Sequence, residues 1–226
     1  MDLLEAMKLR HSVRAYEDKA IEGEVLKNLE DEIEACNKEG GLHIQLIKDE
    51  PKAFDSRMAH YGKFSGVKNY IAMIGKKSAN LDERCGYYGE RLVLLAQTLG
   101  LSTCWVAMTY KKIPEVFQIA SGEKLVIVIA IGYGKTEGVA HKSKEASLIS
   151  NLSANSPEWF KNGVEAALLA PTAMNQQKFK FELNDDRIIS KPGVAFYTKV
   201  DLGIAKYHFE VGAGKGHLFD GMRDEK

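Results

Sequence analysis

Apolar positions in this chain fall into blocks whose period switches between helical and strand-like. From Glu22 to Lys38, Leu26, Leu29, Ile33 and Cys36 recur at helical spacing, which predicts an amphipathic helix. Ahead of it, Asp2 with Glu5 three residues on is a capping pair that starts a short helix ending near Arg10. His43 to Lys48 alternates like a half-buried strand, and Tyr70 to Ile74 is apolar enough for a buried one. Gly86 to Leu99 predicts a strongly apolar helix closed by Gly100. Pro114 opens a short helix over Ile113 to Ala120, and the β-branched run Leu125 to Tyr133 predicts a central strand.

The pattern then lapses. Gly134 to Asn155 is rich in Gly, Ser, Lys and Asn and reads as a surface connection. A second set of elements follows. A helix begins at Ser156-Pro157 and runs to about Ala170, an alternating strand carries Phe179, Phe181 and Leu183, a further strand lies near Val194 to Phe196, and a helix spans about Asp201 to Val211. This set echoes the first. Aligning Gly89-Glu90-Arg91-Leu92 with Gly203-Ile204-Ala205-Lys206 gives an offset of 114 (203 − 89), which also places Leu95 on Phe209 and Gly100 on Gly214. The expectation is an α+β chain with an internal duplication, residues 1–150 forming one half and 151–226 the other. An ordinary α+β domain with similar building blocks is the alternative.

A 226-residue chain that is 45% hydrophobic can bury a substantial core. Its net charge of zero removes the electrostatic case for nucleic acid or an anionic membrane as a partner. Cys36, Cys85 and Cys104 are an odd set without C-x-x-C spacing, which argues against a disulfide framework or a zinc site. The acidic start Met1-Asp2-Leu3-Leu4-Glu5 is unlike a signal peptide, and the longest apolar run, Leu125 to Ile131, is strand-sized. A cytoplasmic protein is expected. No histidine pair has helical ligand spacing, and no nucleophile–base arrangement stands out, so neither a metal nor a catalytic side chain is assigned.

Two short strings carry the chemistry. Arg10-His11-Ser12-Val13-Arg14-Ala15-Tyr16 supplies two guanidinium groups and a hydroxyl at a helix end, suited to an anion, although Lys8, Arg10 and Arg14 also suit a solvated helix C-terminus. Ala170-Pro171-Thr172-Ala173-Met174-Asn175-Gln176-Gln177-Lys178-Phe179 supplies a hydroxyl and carboxamides suited to the edge of a polar heterocycle, or an ordinary helix stop and turn. Together they resemble the two halves of the flavin site in the FMN-dependent nitroreductase family, in its internally duplicated, single-chain branch. The first matches the family's Arg-x-Ser signature and the second its Ala-Pro-Ser/Thr-x-x-Asn-x-Gln pattern. Gly100-Leu101-Ser102-Thr103-Cys104-Trp105 resembles a family segment leading past the flavin, and His141-Lys142-Ser143-Lys144 its late basic pair. Ala107-Met108 stands where the family often has Gly-Gly or Glu-Gly, and Lys178-Phe179 where it usually has Pro-Trp.

The resemblance implies a nitroreductase-like fold, a mostly antiparallel central sheet flanked by helices, with the halves packed like the family's subunits. The first half lacks the Pro-Ser/Thr-x-x-Asn string and the second lacks Arg-x-Ser, so a monomer acting as a pseudo-dimer would hold one FMN. It implies Arg10, Ser12 and Arg14 at the phosphate and ring edge, His11 along the cofactor, and Lys142 and Lys144 in support. Pro171, Thr172, Asn175 and Gln177 would flank the ring, with Ala107 and Met108 beside it. The implied reaction passes hydride from NADH or NADPH through flavin N5 to a small nitroaromatic, quinone or similar acceptor. A flavin-binding or sensor-like protein without efficient turnover, and a non-flavin interaction domain, are the alternatives.

Overall fold

The computed structural model describes residues 1–185 and 187–223. Helix α1 (Leu3–Leu9) starts where the Asp2 carboxylate accepts a 2.8 Å hydrogen bond from Glu5 N–H. Helix α2 (Gly23–Gly40) buries Leu29, Ile33 and Cys36 and stops at Gly41, whose φ of 55° is left-handed. There follow β1 (Gln45–Ile47), α3 (Arg57–Tyr61), β2 (Asn69–Lys76), α4 (Leu81–Thr98), β3 (Ser102–Val106), β4 (Glu123–Gly132), α5 (Ala146–Ile149), α6 (Glu158–Ala167), β5 (Phe179–Asn184), β6 (Arg187–Pro192) and α7 (Thr198–Ala213).

Strands β1 to β4 form one antiparallel sheet in the order β1-β2-β4-β3. Its two central strands, β2 and β4, are covered on both faces, which explains their unbroken apolar runs. Ile71, Met73, Ile127, Ile129 and Ile131 face a core shared with α2, α4, α6 and α7. The alternate residues Tyr70, Ala72, Ile74, Val128 and Ala130 face a second core with Val13, Tyr16, Phe54 and Phe64. The fold is α+β, an antiparallel sheet flanked by helices, as the sequence implies. β5 and β6 form a separate hairpin.

Two expected elements differ. The helix expected over Ile113 to Ala120 shrinks to a 3-10 turn, Pro114–Val116, because Phe117 is already extended at φ −140°. The strand expected near Val194 to Phe196 is absent. The strand is instead β6, whose partner is β5, while Val194 and Phe196 are 95% and 88% exposed. β6 is mostly exposed and ends at Pro192, so it lacks the buried alternation that marks a strand in sequence.

The two apolar helices α4 and α7 cross at glycine. A Cβ on Gly86 would lie 2.1 Å from Val200 O and 3.0 Å from Ile204 N, and one on Gly203 would lie 1.9 Å from Glu83 O and 2.8 Å from Tyr87 N. The contact is reciprocal, pairing Gly86 with Gly203 at an offset of 117 (203 − 86). The helix N-caps, Asn80 and Tyr197, share that offset. The sequence offset of 114 holds only at the left-handed terminal glycines, Gly100 and Gly214, because α7 reaches its glycine three residues sooner.

Gly203→Ala tests this crossing. Helix propensity alone would make the change stabilising by about 1 kcal/mol. The backbone contact predicts instead a loss of about 1–3 kcal/mol in urea unfolding, and a variant as stable as the parent would show that the crossing tolerates a methyl group.

Candidate functional site

After α1 the chain runs beside β3. Ser12 bridges to Thr103, and Val13 N–H donates to Thr103 O at 3.0 Å. This places Ser12 and Arg14 next to Trp105 and Ala107 at the end of β3. From farther along the chain, α6 ends ahead of Pro171 and the backbone turns through Thr172 to Gln177. The two motifs meet in one cleft. It comprises adjoining cavities of about 390 and 120 Å³ that share Ser12, Arg14, Pro171, Thr172 and Met174. Arg10, His11, His141 and Asn175 line the larger, and Trp105, Ala107, Tyr197 and Asp201 the smaller. Such a volume is in the range of small-molecule sites. A larger cavity of about 580 Å³ lies between α4, the end of α7 and residues 214–223 and contains neither motif.

Beneath the cleft is a buried charged cluster. Glu90, on α4, and His208, on α7, are both 0% exposed. Glu90 accepts from Trp105 Nε1 at 2.9 Å and meets His208 Nε2 at 2.8 Å, while His208 Nδ1 faces Ala166 O at 3.1 Å. A carbonyl only accepts, so Nδ1 carries hydrogen, and the Nε2–carboxyl contact holds a single proton. The same carboxyl oxygen lies 3.9 Å from Arg10 Nε. That is too long for a hydrogen bond, and among the described residues this buried nitrogen has no partner. Burial lowers the Arg10 pKa, and Glu90 opposes the shift. Burial, and then Arg10, lower the pKa of His11. Arg10 also lines the larger cavity, where a guanidinium suits an anionic or carbonyl acceptor.

The 172–177 turn is strained. Met174, Asn175 and Gln177 have φ of 52°, 53° and 44°, a region L-residues rarely occupy. Side-chain bonds hold it. Gln177 N–H donates to Thr172 Oγ1 at 3.0 Å, and the carboxamides of Asn175 and Gln177 both donate to Lys142 O, at 2.9 and 2.8 Å. Lys144 Nζ donates to the carbonyls of Gln176 and Gln177, at 2.7 and 3.0 Å. The carboxyl of Asp201 accepts from Ala173 N–H and Gln176 Nε2, at 2.9 and 2.7 Å.

Of the residues singled out from sequence, Arg10, His11, Ser12, Arg14, Ala107, Pro171, Thr172 and Asn175 line the cleft. Four stand elsewhere. Gln177 is buried, and its side chain braces the turn. Lys144 is occupied by backbone carbonyls, Lys142 contributes its carbonyl while its side chain is exposed, and Met108 is 69% exposed beyond Ala107. Glu90, His208 and Asp201 were not distinguishable in sequence. A lone carboxylate inside the apolar stretch Gly86 to Leu99 was the available signal for Glu90. The cysteines are all buried; burial pushes the Cys36 and Cys85 thiols up to about 12 and raises that of Cys104, so none is a poised nucleophile. Among the described residues no cluster of side chains could hold a metal ion, and no helix is long and apolar enough to cross a membrane.

A family model described as "Putative TM nitroreductase" matches residues 2–213. A crystal structure of a putative nitroreductase from Thermotoga maritima MSB8 is similar at 23% identity and a TM-score of 0.67, over 94% of this chain and 83% of that one. A putative nitroreductase in complex with FMN from Desulfovibrio desulfuricans is similar at 20% identity and a TM-score of 0.54, over 70% of this chain and 99% of that one. A third structure, a putative NADH dehydrogenase/NAD(P)H nitroreductase from Bacteroides thetaiotaomicron, has 20% identity and a TM-score of 0.51, over 65% and 95% of the two chains. At these identities the structural likenesses establish the fold. No functionally curated protein matches the sequence.

Truncating the buried hub should be costly. Glu90→Ala strands Arg10 and the partners of the lost carboxylate in the core and is expected to cost about 3–5 kcal/mol in urea unfolding. A loss within about 1 kcal/mol would mean that the cluster contributes little to holding the cleft.

Proposed function

The chain belongs to the nitroreductase family, an oxidoreductase family, and we propose that it is an FMN-dependent enzyme passing hydride from NADH or NADPH to a small electron acceptor. The observation that carries this reading is the meeting of the two motifs in one cleft, which Arg10 and Arg14 line. FMN, when bound, supplies the hydride chemistry. The chain's own residues bind and orient it. Arg10 and Arg14 offer charge-assisted donors for the phosphate and the ring's carbonyl edge, and Ser12 and Thr172 offer hydroxyls. Trp105, held by Glu90, and Pro171 wall the ring. The acceptor is a small molecule such as a nitroaromatic or quinone.

One flavin per chain is part of the proposal, with the halves packed as a pseudo-dimer in a monomer. The offset of 117 relates Tyr197 and Asp201 of the cleft to Asn80 and Arg84 (197 − 80, 201 − 84). Around those counterparts the polar groups are taken up by contacts within the chain. Asn80 Nδ2 donates to Gly221 O at 2.9 Å, Arg84 donates to Gly40 O at 2.6 Å, and Lys206 Nζ lies 4.9 Å over the Phe219 ring. An Arg-x-Ser segment is also missing from the second half.

A visible-spectrum titration with FMN should saturate at one flavin per chain, and NADH or NADPH should bleach the bound flavin without oxygen. Arg14→Ala, which removes an exposed donor from the cleft, should weaken FMN binding by about ten- to a hundredfold (about 1.5–3 kcal/mol). Protein that stays colourless in excess FMN would end the enzyme reading, and an unaltered Arg14→Ala affinity would remove that contact from it.

A further inference from the structure

Helix α4 carries two interior glycines about one turn apart, Gly86 and Gly89, and glycine inside a helix costs stability. Gly86 is accounted for by the crossing with α7. Gly89 is not. By the offset of 117 its counterpart on α7 is Lys206 (206 − 89), so the crossing does not call for glycine there. Gly89 meets β3 instead. A Cβ on it would lie 2.3 Å from Trp105 Cη2, 3.0 Å from Trp105 Cζ2 and 3.2 Å from Met73 Cε. The first of these is far inside van der Waals contact, so the benzene end of the indole rests on bare α4 backbone. The next residue of the helix, Glu90, takes the adjoining part of the same indole edge, accepting from Nε1 at 2.9 Å. One edge of Trp105 is thus seated on two successive residues of α4.

Trp105 also lines the smaller cavity of the cleft, together with Pro171, Thr172 and Tyr197. α4 has no room to retreat from the indole, because its backbone is seated on α7 at Gly86 and Glu90 meets His208. A side chain at position 89 would therefore drive the indole off the helix and toward the cavity, whose volume is about 120 Å³. We propose that Gly89 and Glu90 are positioning residues that seat Trp105 on α4 and so set the depth of the smaller cavity for a flat heteroaromatic ring. The inference rests on the flavin reading for the identity of that ring. Gly89 contributes the absence of a side chain and Glu90 the acceptor, and between them the cleft wall is in place before a ligand arrives.

The chain has two tryptophans, Trp105 and Trp159, so nitrogen-15-labelled protein gives two indole N–H resonances, which Trp159→Phe assigns. Saturating FMN should shift the Trp105 resonance and leave that of Trp159, on α6, in place. Gly89→Ala should move the Trp105 resonance in flavin-free protein and weaken FMN binding by about tenfold or more. In a Trp105→Phe background, where a smaller ring leaves space for the methyl group, the same substitution should change FMN affinity by less than about threefold. A Trp105 resonance that saturating FMN does not move overturns the proposal without any variant, whether or not Gly89→Ala folds. Parental affinity in Gly89→Ala also overturns it. So does a loss that persists in full in the Trp105→Phe background, because the effect would then bypass the indole. Firm FMN binding with any of these results leaves the flavin reading intact. Protein that takes up no FMN overturns the flavin reading, and flavin-free Gly89→Ala then decides the seat: a displaced Trp105 resonance supports the positioning role, and an unmoved one overturns it as well.

Discussion

The backbone contact between α4 and α7 is the constraint on which the rest of the molecule depends. Gly86 and Gly203 let the two helices approach until each glycine rests against the other helix's carbonyl. Interaxial distance is set by the side chains at a crossing, so replacing glycine there would push the helices apart. Everything functional is referenced to that distance. α7 presents Asp201 to the cleft just before the crossing, with Tyr197 at its N-cap, and beyond the crossing His208 reaches Glu90. A looser crossing would separate the two halves of the cleft and break the buried cluster together.

That cluster shows how a core can hold charge. Glu90 is fully buried, a position that would be costly for a lone carboxylate, and it is compensated by an indole N–H, an imidazole and a nearby guanidinium. Each compensating group comes from a different element: Arg10 follows α1, Trp105 lies on β3 and His208 on α7. The hub thus fixes Trp105 of the cleft wall from below. The strained 172–177 turn is fixed from the side, by Lys142, Lys144 and Asp201. Left-handed Met174 and Asn175 persist because these bonds over-determine the turn, the condition under which strained backbone survives in a folded protein.

The sequence was informative wherever a residue's job is local. The Asp2 cap, the buried face of α2 and the central strands β2 and β4 follow from capping chemistry and from the period of the apolar residues. The exposed edge strand β6 has no such period and was misplaced to Val194–Phe196, a short apolar stretch that is solvent-facing. The internal echo was seen at an offset set by the terminal glycines, whereas the helix starts and the crossing use another. In the site, the two motifs were legible because several chemically specific residues recur at short spacing. The bracing roles of Lys144 and Gln177 were not, because a lysine facing a phosphate and a lysine facing carbonyls are the same letter.

By itself, the sequence determined the longer helices and the two central strands, that the chain has an α+β core, and which two strings bear polar chemistry. These are properties of neighbours along the chain, where spacing and backbone preference act directly. Tertiary structure alone decided that strings about 160 residues apart share one cleft, that Glu90 and His208 close a buried cluster, and that Asp201 ties down a strained turn. Those outcomes depend on distances across the fold, set by how closely two glycine-bearing helices can approach, and no local pattern records them.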